Sequence, residues 1–155
     1  MISVVIATLD HERVIGQTLA ALVPAAVDGV VRQVIVADGG SADATLDIAK
    51  DSGADVLELS GPAEARIAAA AAKARGDWLL ILDPAIEPTP GWEAAARAHL
   101  AKGPDRVAWM APGKGGLLGG PPKAYGLLIS RRRLEQMGGY GPRLARKLGG
   151  KLKRL

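Results

Sequence analysis

No cysteine occurs in this 155-residue chain, which removes both a disulfide framework and any thiolate-bound metal. Histidine is nearly absent too: His11 and His99 lie far apart in sequence and offer no metal-ligand spacing. Aromatic residues make up only 3%, too few for the stacking surface on which single-stranded nucleic acids lie, so no nucleic acid partner is expected. No apolar run reaches the roughly 18 residues of a membrane span. The amino terminus enters a strand-like run with no basic lead to mark a signal peptide, which makes a cytoplasmic protein the default expectation. Acids are scarce at one end: in residues 131–155, nine basic residues face only Glu135, a net of +8. The whole chain carries +4, so the other 130 residues carry −4. A mildly acidic body with a basic end suggests an anionic partner for that end specifically.

What is present suits one domain with a real core, since 48% of the residues are hydrophobic. Residues 2–7 form a short β-branched run and read as a buried strand. Thr8 or Asp10 can cap the helix that follows, in which Val14, Ile15, Thr18, Leu19 and Leu22 share one face until Pro24. A second strand over 33–37 closes in "DGGS", with Ser41 placed to cap a helix that Gly53 ends. Residues 55–59 read as a third strand, the alanine-rich stretch 63–75 as a helix, and 78–82 as a fourth strand. Pro90 marks the first turn of another helix. Residues 111–123, rich in glycine and proline, read as a flexible loop. Residues 124–130 then read as a last strand and 131–137 as a short helix ended by Gly138 and Gly139.

Strands and helices alternating at these intervals predict an α/β fold with a mostly parallel sheet flanked by helices. Ligands of such sheets bind at the carboxyl ends of the strands. That rule selects residues 8–12, residues 38–41, and Asp83 onward, all carrying acids or hydroxyls where a structural turn needs only Gly or Pro. Asp38 can accept hydrogen bonds from a base or ribose, or simply cap its own turn; alone, the motif leaves the two readings even. The dinucleotide fingerprint is absent, because "ATLDHER" stands where a glycine-rich turn would follow the first strand. Lys114 in "GKGG" lacks the rest of a P-loop.

Taken in order, "SVVIATLDHERVIGQTLAAL", "QVIVADGGSADATLDIA", "ARIAAAAAKARGDWLLILD", "PGW" and "ISRRRLEQMGGYG" resemble the family 2 glycosyltransferases of the GT-A fold. The resemblance covers nearly the whole chain, although the family's P-T-x-N-E opening here reads Ala7-Thr8-Leu9-Asp10. It implies a nucleotide-diphosphate sugar donor bound by Thr8, Leu9, Glu12, Asp38, Arg66 and Asp83. Thr8 offers hydroxyl and backbone groups to a base, Asp38 suits an imide N–H, and Arg66 can reach base or diphosphate as a permanent cation. On a plainer reading Arg66 is a solvated helix residue and Glu12 only favours a helix amino terminus.

Two departures from the family pattern matter. Where the family places D-x-D for Mn²⁺ or Mg²⁺, this chain has Asp83-Pro84-Ala85. Asp83 alone leaves a weakly bound, largely substrate-held metal, with Glu87 as a candidate to reach back. Second, Gly138-Gly139-Tyr140 is not followed by the family's E-D pair, and Glu135 is the nearest acid upstream. A general base is worth roughly 10²–10⁴ in rate, and no residue here is assigned to it. Residues 1–140 then form one nucleotide-sugar-binding domain and 141–155 a basic amphipathic tail.

In that tail Leu144, Leu148, Leu152 and Leu155 recur at helical spacing among Arg143, Arg146, Lys147, Lys151, Lys153 and Arg154. Such a helix suits the inner face of an anionic membrane; packing of the leucines on the body is the plainer reading, and nucleic acid binding is a third that the scarcity of aromatics weakens. The leading expectation is a glycosyltransferase of hexosyltransferase type, with an unknown, membrane-proximal or lipid-linked acceptor. Its rival is a nucleotide-sugar-binding module that has lost turnover. An oxidoreductase reading would need NAD(P) binding.

Overall fold

Residues 1–110, 126–141, 144 and 153–154 are described by a computed structural model of the chain. The β-branched and leucine-rich runs become the middle of one sheet. Its strands are β1 (Ile2–Thr8), β2 (Val31–Asp38), β3 (Asp55–Glu58), β4 (Trp78–Leu82), β5 (Ala108–Met110), β6 (Gly126–Ser130) and β7 (Lys153–Arg154). They lie in the order β3-β2-β1-β4-β6-β5-β7. The first four are parallel neighbours, β6 runs antiparallel to both β4 and β5, and β7 lies parallel to β5. The expected mostly parallel sheet is therefore present, with an antiparallel insertion at β6.

Helices α1 (Glu12–Ala20), α2 (Val23–Val27), α3 (Thr45–Asp51), α4 (Ala63–Lys73), α5 (Trp92–Leu100) and α6 (Arg131–Gln136) cover both faces. Alternation along each strand divides the core in two. Ile2, Val4, Ile6, Leu80 and Leu82 point with Ile15, Leu19, Trp92 and Ala96 into one half. Val5, Ile35, Leu79 and Ile81 meet Ile67 and Ala70 of α4 and Leu134 of α6 in the other. No helix among the described residues is long and apolar enough to cross a membrane.

Several local expectations change. Pro24 does not end the helical region but sits in the first turn of α2, where its missing N–H costs nothing. Pro90 lies outside α5, whose N-cap is Gly91 at φ 87°. Neither Thr8, Asp10 nor Ser41 caps the helix it precedes, because α1 and α3 begin later and take His11 and Ala44 as N-caps.

The amino end of the sheet is tied by side chains. Ser3 Oγ donates to Gln33 Oε1, Gln33 Nε2 donates to Asp55 Oδ2 at 2.7 Å, and Arg75 pairs with Asp55 at 2.8 Å. In the basic end, Leu144 is buried in the α4–α6 half of the core, as the packing alternative expects of it. Lys153 and Arg154 pair as strand with Ala108 and Trp109, so the amphipathic helix does not extend through them. Leu148, Leu152, Leu155 and the expected loop 111–123 lie outside the described residues.

Candidate functional site

The parallel register sets the ends of β1 and β2 side by side, with Thr8 opposite Asp38. Leu82 is opposite Ile6, so Asp83 emerges from β4 on the other flank of β1. Thr8, Asp38 and Asp83 thus stand at the carboxyl ends of three adjacent strands, as the strand-end rule requires.

Asp38 is completely buried, and its carboxylate is fully engaged. Oδ1 accepts from the Thr8 hydroxyl at 2.8 Å and from the Ser41 hydroxyl at 2.5 Å. Oδ2 accepts from the backbone N–H groups of Gly40 at 2.8 Å and Ser41 at 2.7 Å. Burial pushes its pKa up, but the Ser41, Thr8 and Gly40 donors together outweigh burial and hold it below the ordinary carboxylate value. Four acceptor positions are filled by four donors. In this arrangement Asp38 organises the "DGGS" turn, and a base N–H would have to displace one of these donors to reach it.

Arg66 comes from α4, which packs on β1 and β2. Its side chain is 6% exposed, far from the solvated reading. One guanidinium N–H donates to the Thr8 carbonyl, and buried Nε has no partner. The ion pair found among the described residues is Arg75–Asp55, so Arg66 has no acid there. Gly39 makes this placement possible. A Cβ at residue 39 would overlap the guanidinium and sit 2.8 Å from Cζ. Sequence reasoning missed Gly39 as a site residue; the signal was the first glycine of "DGG", directly after the strand-end acid.

The loops after β1 and β2 are laced together. Asp10, at φ 55°, accepts from Ala42 N–H at 2.8 Å and gives its own N–H to the Ser41 hydroxyl at 2.9 Å. The His11 N–H reaches Thr45 Oγ1 at 2.8 Å. Glu12 and Asp43 are reciprocal caps: Glu12 N–H donates to Asp43 Oδ2, and Ala44 N–H donates to Glu12 Oε2, both at 3.0 Å. Glu12 thus serves a helix amino terminus, that of α3 rather than its own. Desolvation raises the Asp43 pKa, but the Thr45 hydroxyl and the Glu12 and Thr45 N–H groups lower it more. Leu9 is largely exposed beside this ridge, its N–H donating to His11 Nδ1.

Asp83 opens a tight turn in which its Oδ1 accepts from Ala85 N–H at 2.9 Å and its carbonyl from Ile86 N–H at 3.0 Å. Thr18 of α1 fixes the turn by donating to the Pro84 carbonyl at 2.7 Å. Ala85 and Glu87 are exposed, and no group of three His, Cys, Asp or Glu able to hold a metal exists among the described residues. A single carboxylate already turned toward its own backbone does not fit a resident divalent ion. Glu135, the nearest acid to a base position, is exposed on α6.

The profile of glycosyl transferase family 2 matches residues 3–143. The chain belongs to that family. Among solved structures, this family 2 glycosyl transferase is similar to glucosyl-3-phosphoglycerate synthase from Mycobacterium tuberculosis in complex with Mn²⁺, uridine diphosphate and glucosyl-3-phosphoglycerate. The two are 28% identical over 71% of this chain and 42% of the synthase, with a TM-score of 0.59. It is also similar to residues 1–349 of S. aureus TarS, with a TM-score of 0.73 over 92% of this chain and 50% of that one. At 20% identity, TarS bears on the fold alone. No curated protein matches the chain. The chain spans about half the length of these solved relatives or less, so the GT-A-like sheet is shared while the relatives have further structure of their own.

Proposed function

We propose that this chain binds a nucleotide-diphosphate sugar at the strand ends around Thr8, Leu9, Glu12, Asp38, Arg66 and Asp83, and transfers the sugar to an acceptor. The observation that carries the reading is Arg66: a buried guanidinium, without an acidic partner among the described residues, lying at the ends of β1 and β2. A permanent cation in that place calls for an anionic ligand. The 28%-identical synthase solved with uridine diphosphate supports a nucleoside diphosphate as that ligand.

Within this reading Arg66 faces the diphosphate, and Asp38 holds the Thr8 hydroxyl and the "GGS" backbone in a fixed wall. Leu9 and Glu12 form the rim, and Asp83 approaches ribose or phosphate from the β4 side. Transfer is the inverting reaction of the family: the acceptor hydroxyl oxygen forms its bond to the anomeric carbon as the bond to the nucleoside diphosphate breaks, and its proton passes to solvent or to the departing diphosphate. The leaving oxygen's charge is then stabilised chiefly by fixed positive groups. The synthase is solved with Mn²⁺, but here any Mn²⁺ or Mg²⁺ is weakly bound and carried by the diphosphate, with Asp83 as one ligand. The acceptor lies at the inner face of an anionic membrane, reached through the basic residues of 141–155.

The lone Asp83 favours a second reading, a module that binds nucleotide sugars without turnover. A panel of UDP-, GDP- and TDP-sugars, assayed for both binding and hydrolysis or transfer, separates the two. Release of nucleoside diphosphate above background supports the transferase. Saturable binding with no release in any buffer leaves only the binding module.

A further inference from the structure

We infer that nucleoside diphosphate binding by this chain does not require a divalent metal, the Arg66 guanidinium supplying the neutralising charge. The inference rests on the donor-site reading above. Two independent features converge on it.

The first is the state of the acids at this end of the sheet. Asp38 is saturated by four donors of its own turn and of Thr8. Asp10, Glu12 and Asp43 each accept a backbone N–H from the facing loop or helix. Asp83 accepts from Ala85, and Ala85 stands where a second ligating carboxylate would be needed. Hard divalent ions want several free oxygens in a loose shell. Each of these carboxylates already spends an oxygen on holding a loop in place, and among the described residues none belongs to a group of three able to enclose an ion.

The second is the unanswered cation. A buried guanidinium is expensive without a counter-charge, and Arg66 has spent one donor on the Thr8 carbonyl while Nε stays unpartnered. Arginine carries five N–H donors, so the Thr8 carbonyl does not exhaust the group, and phosphate oxygens are bound by such a guanidinium in a charge-assisted, forked geometry. Gly39 leaves the room that the planar group occupies. A diphosphate placed there meets a fixed positive charge without any ion of its own.

Calorimetric titration of the full chain with UDP and GDP, in EDTA and again with Mn²⁺, tests this. Binding is expected in EDTA, and the dissociation constant should change by less than about threefold on adding Mn²⁺. Arg66→Ala should weaken binding at least about tenfold in both buffers, and increasing salt should weaken the wild type more than the variant. Gly39→Ala keeps the charge but displaces the guanidinium, and should show the same loss with an unchanged circular dichroism spectrum. If Arg66→Ala does not fold, Gly39→Ala decides the point. Binding seen only with Mn²⁺, or a Mn²⁺-dependent tightening beyond about tenfold that Asp83→Asn abolishes, overturns the inference while leaving the donor site standing. No binding of either nucleotide in any buffer sinks the donor site and the inference together.

Discussion

Asp38 shows how a residue selected for its chemistry can be committed elsewhere. The acid at the end of β2 reads from sequence as either ligand or turn former, and its four donors place it firmly in the turn. This has a pH consequence. Its carboxyl is held below the ordinary value, so it favours the folded state above about pH 3.9 and loses that contribution as pH falls through the folded pKa. Asp38→Asn puts an amide N–H among N–H and O–H donors and should cost about 1–3 kcal/mol at neutral pH. Denaturation from about pH 3 to 7 should show the gap between variant and wild type closing in the acid range. A gap that is constant with pH would mean that the carboxylate's charge plays no part. Arg66 is the opposite case, since the alanine-rich helix gave no hint that its arginine would be buried.

At the scale of elements, the strands were legible because hydrophobic runs and their punctuation are local. The helix starts were not. Ser41 and Asp10 have the right chemistry for capping their own helices, yet each is engaged by the loop that faces it. The sequence also hid what β1 needs at its amino end. Gly76 precedes β4 at a point where an added Cβ would lie 2.7 Å from Ser3 N and 2.8 Å from the Met1 carbonyl oxygen, both main-chain atoms. Backbone cannot rotate aside as a side chain would. Gly76→Ala should therefore cost about 1–3 kcal/mol by overpacking, seen as a lower urea midpoint with an unchanged slope. An unaltered midpoint would mean that the start of β1 shifts freely.

Over the whole molecule, charge and topology divide the work. The acidic body supplies the three strand ends, and the basic end supplies nine of the chain's 20 lysines and arginines. Leu144 in the core and the pairing of Lys153–Arg154 with β5 show that this end is partly built into the body. A deletion of residues 143–155 would therefore confuse stability with adsorption. Replacing Arg146, Lys147 and Lys151 by glutamine is the cleaner test, and should reduce sedimentation with anionic vesicles while leaving neutral vesicles unaffected. Equal adsorption before and after would remove the membrane from the proposal.

By itself the sequence determined the alternation of strands and helices, the family, and which strand ends carry acids, because each follows from local periodicity or from motifs in fixed order. Only the tertiary structure decided which donors engage those acids and that Arg66 lies buried against Thr8 and Gly39. Hydrogen-bond saturation and burial depend on residues about 30 to 60 positions away, brought together by parallel β pairing. No spacing along the chain encodes that meeting.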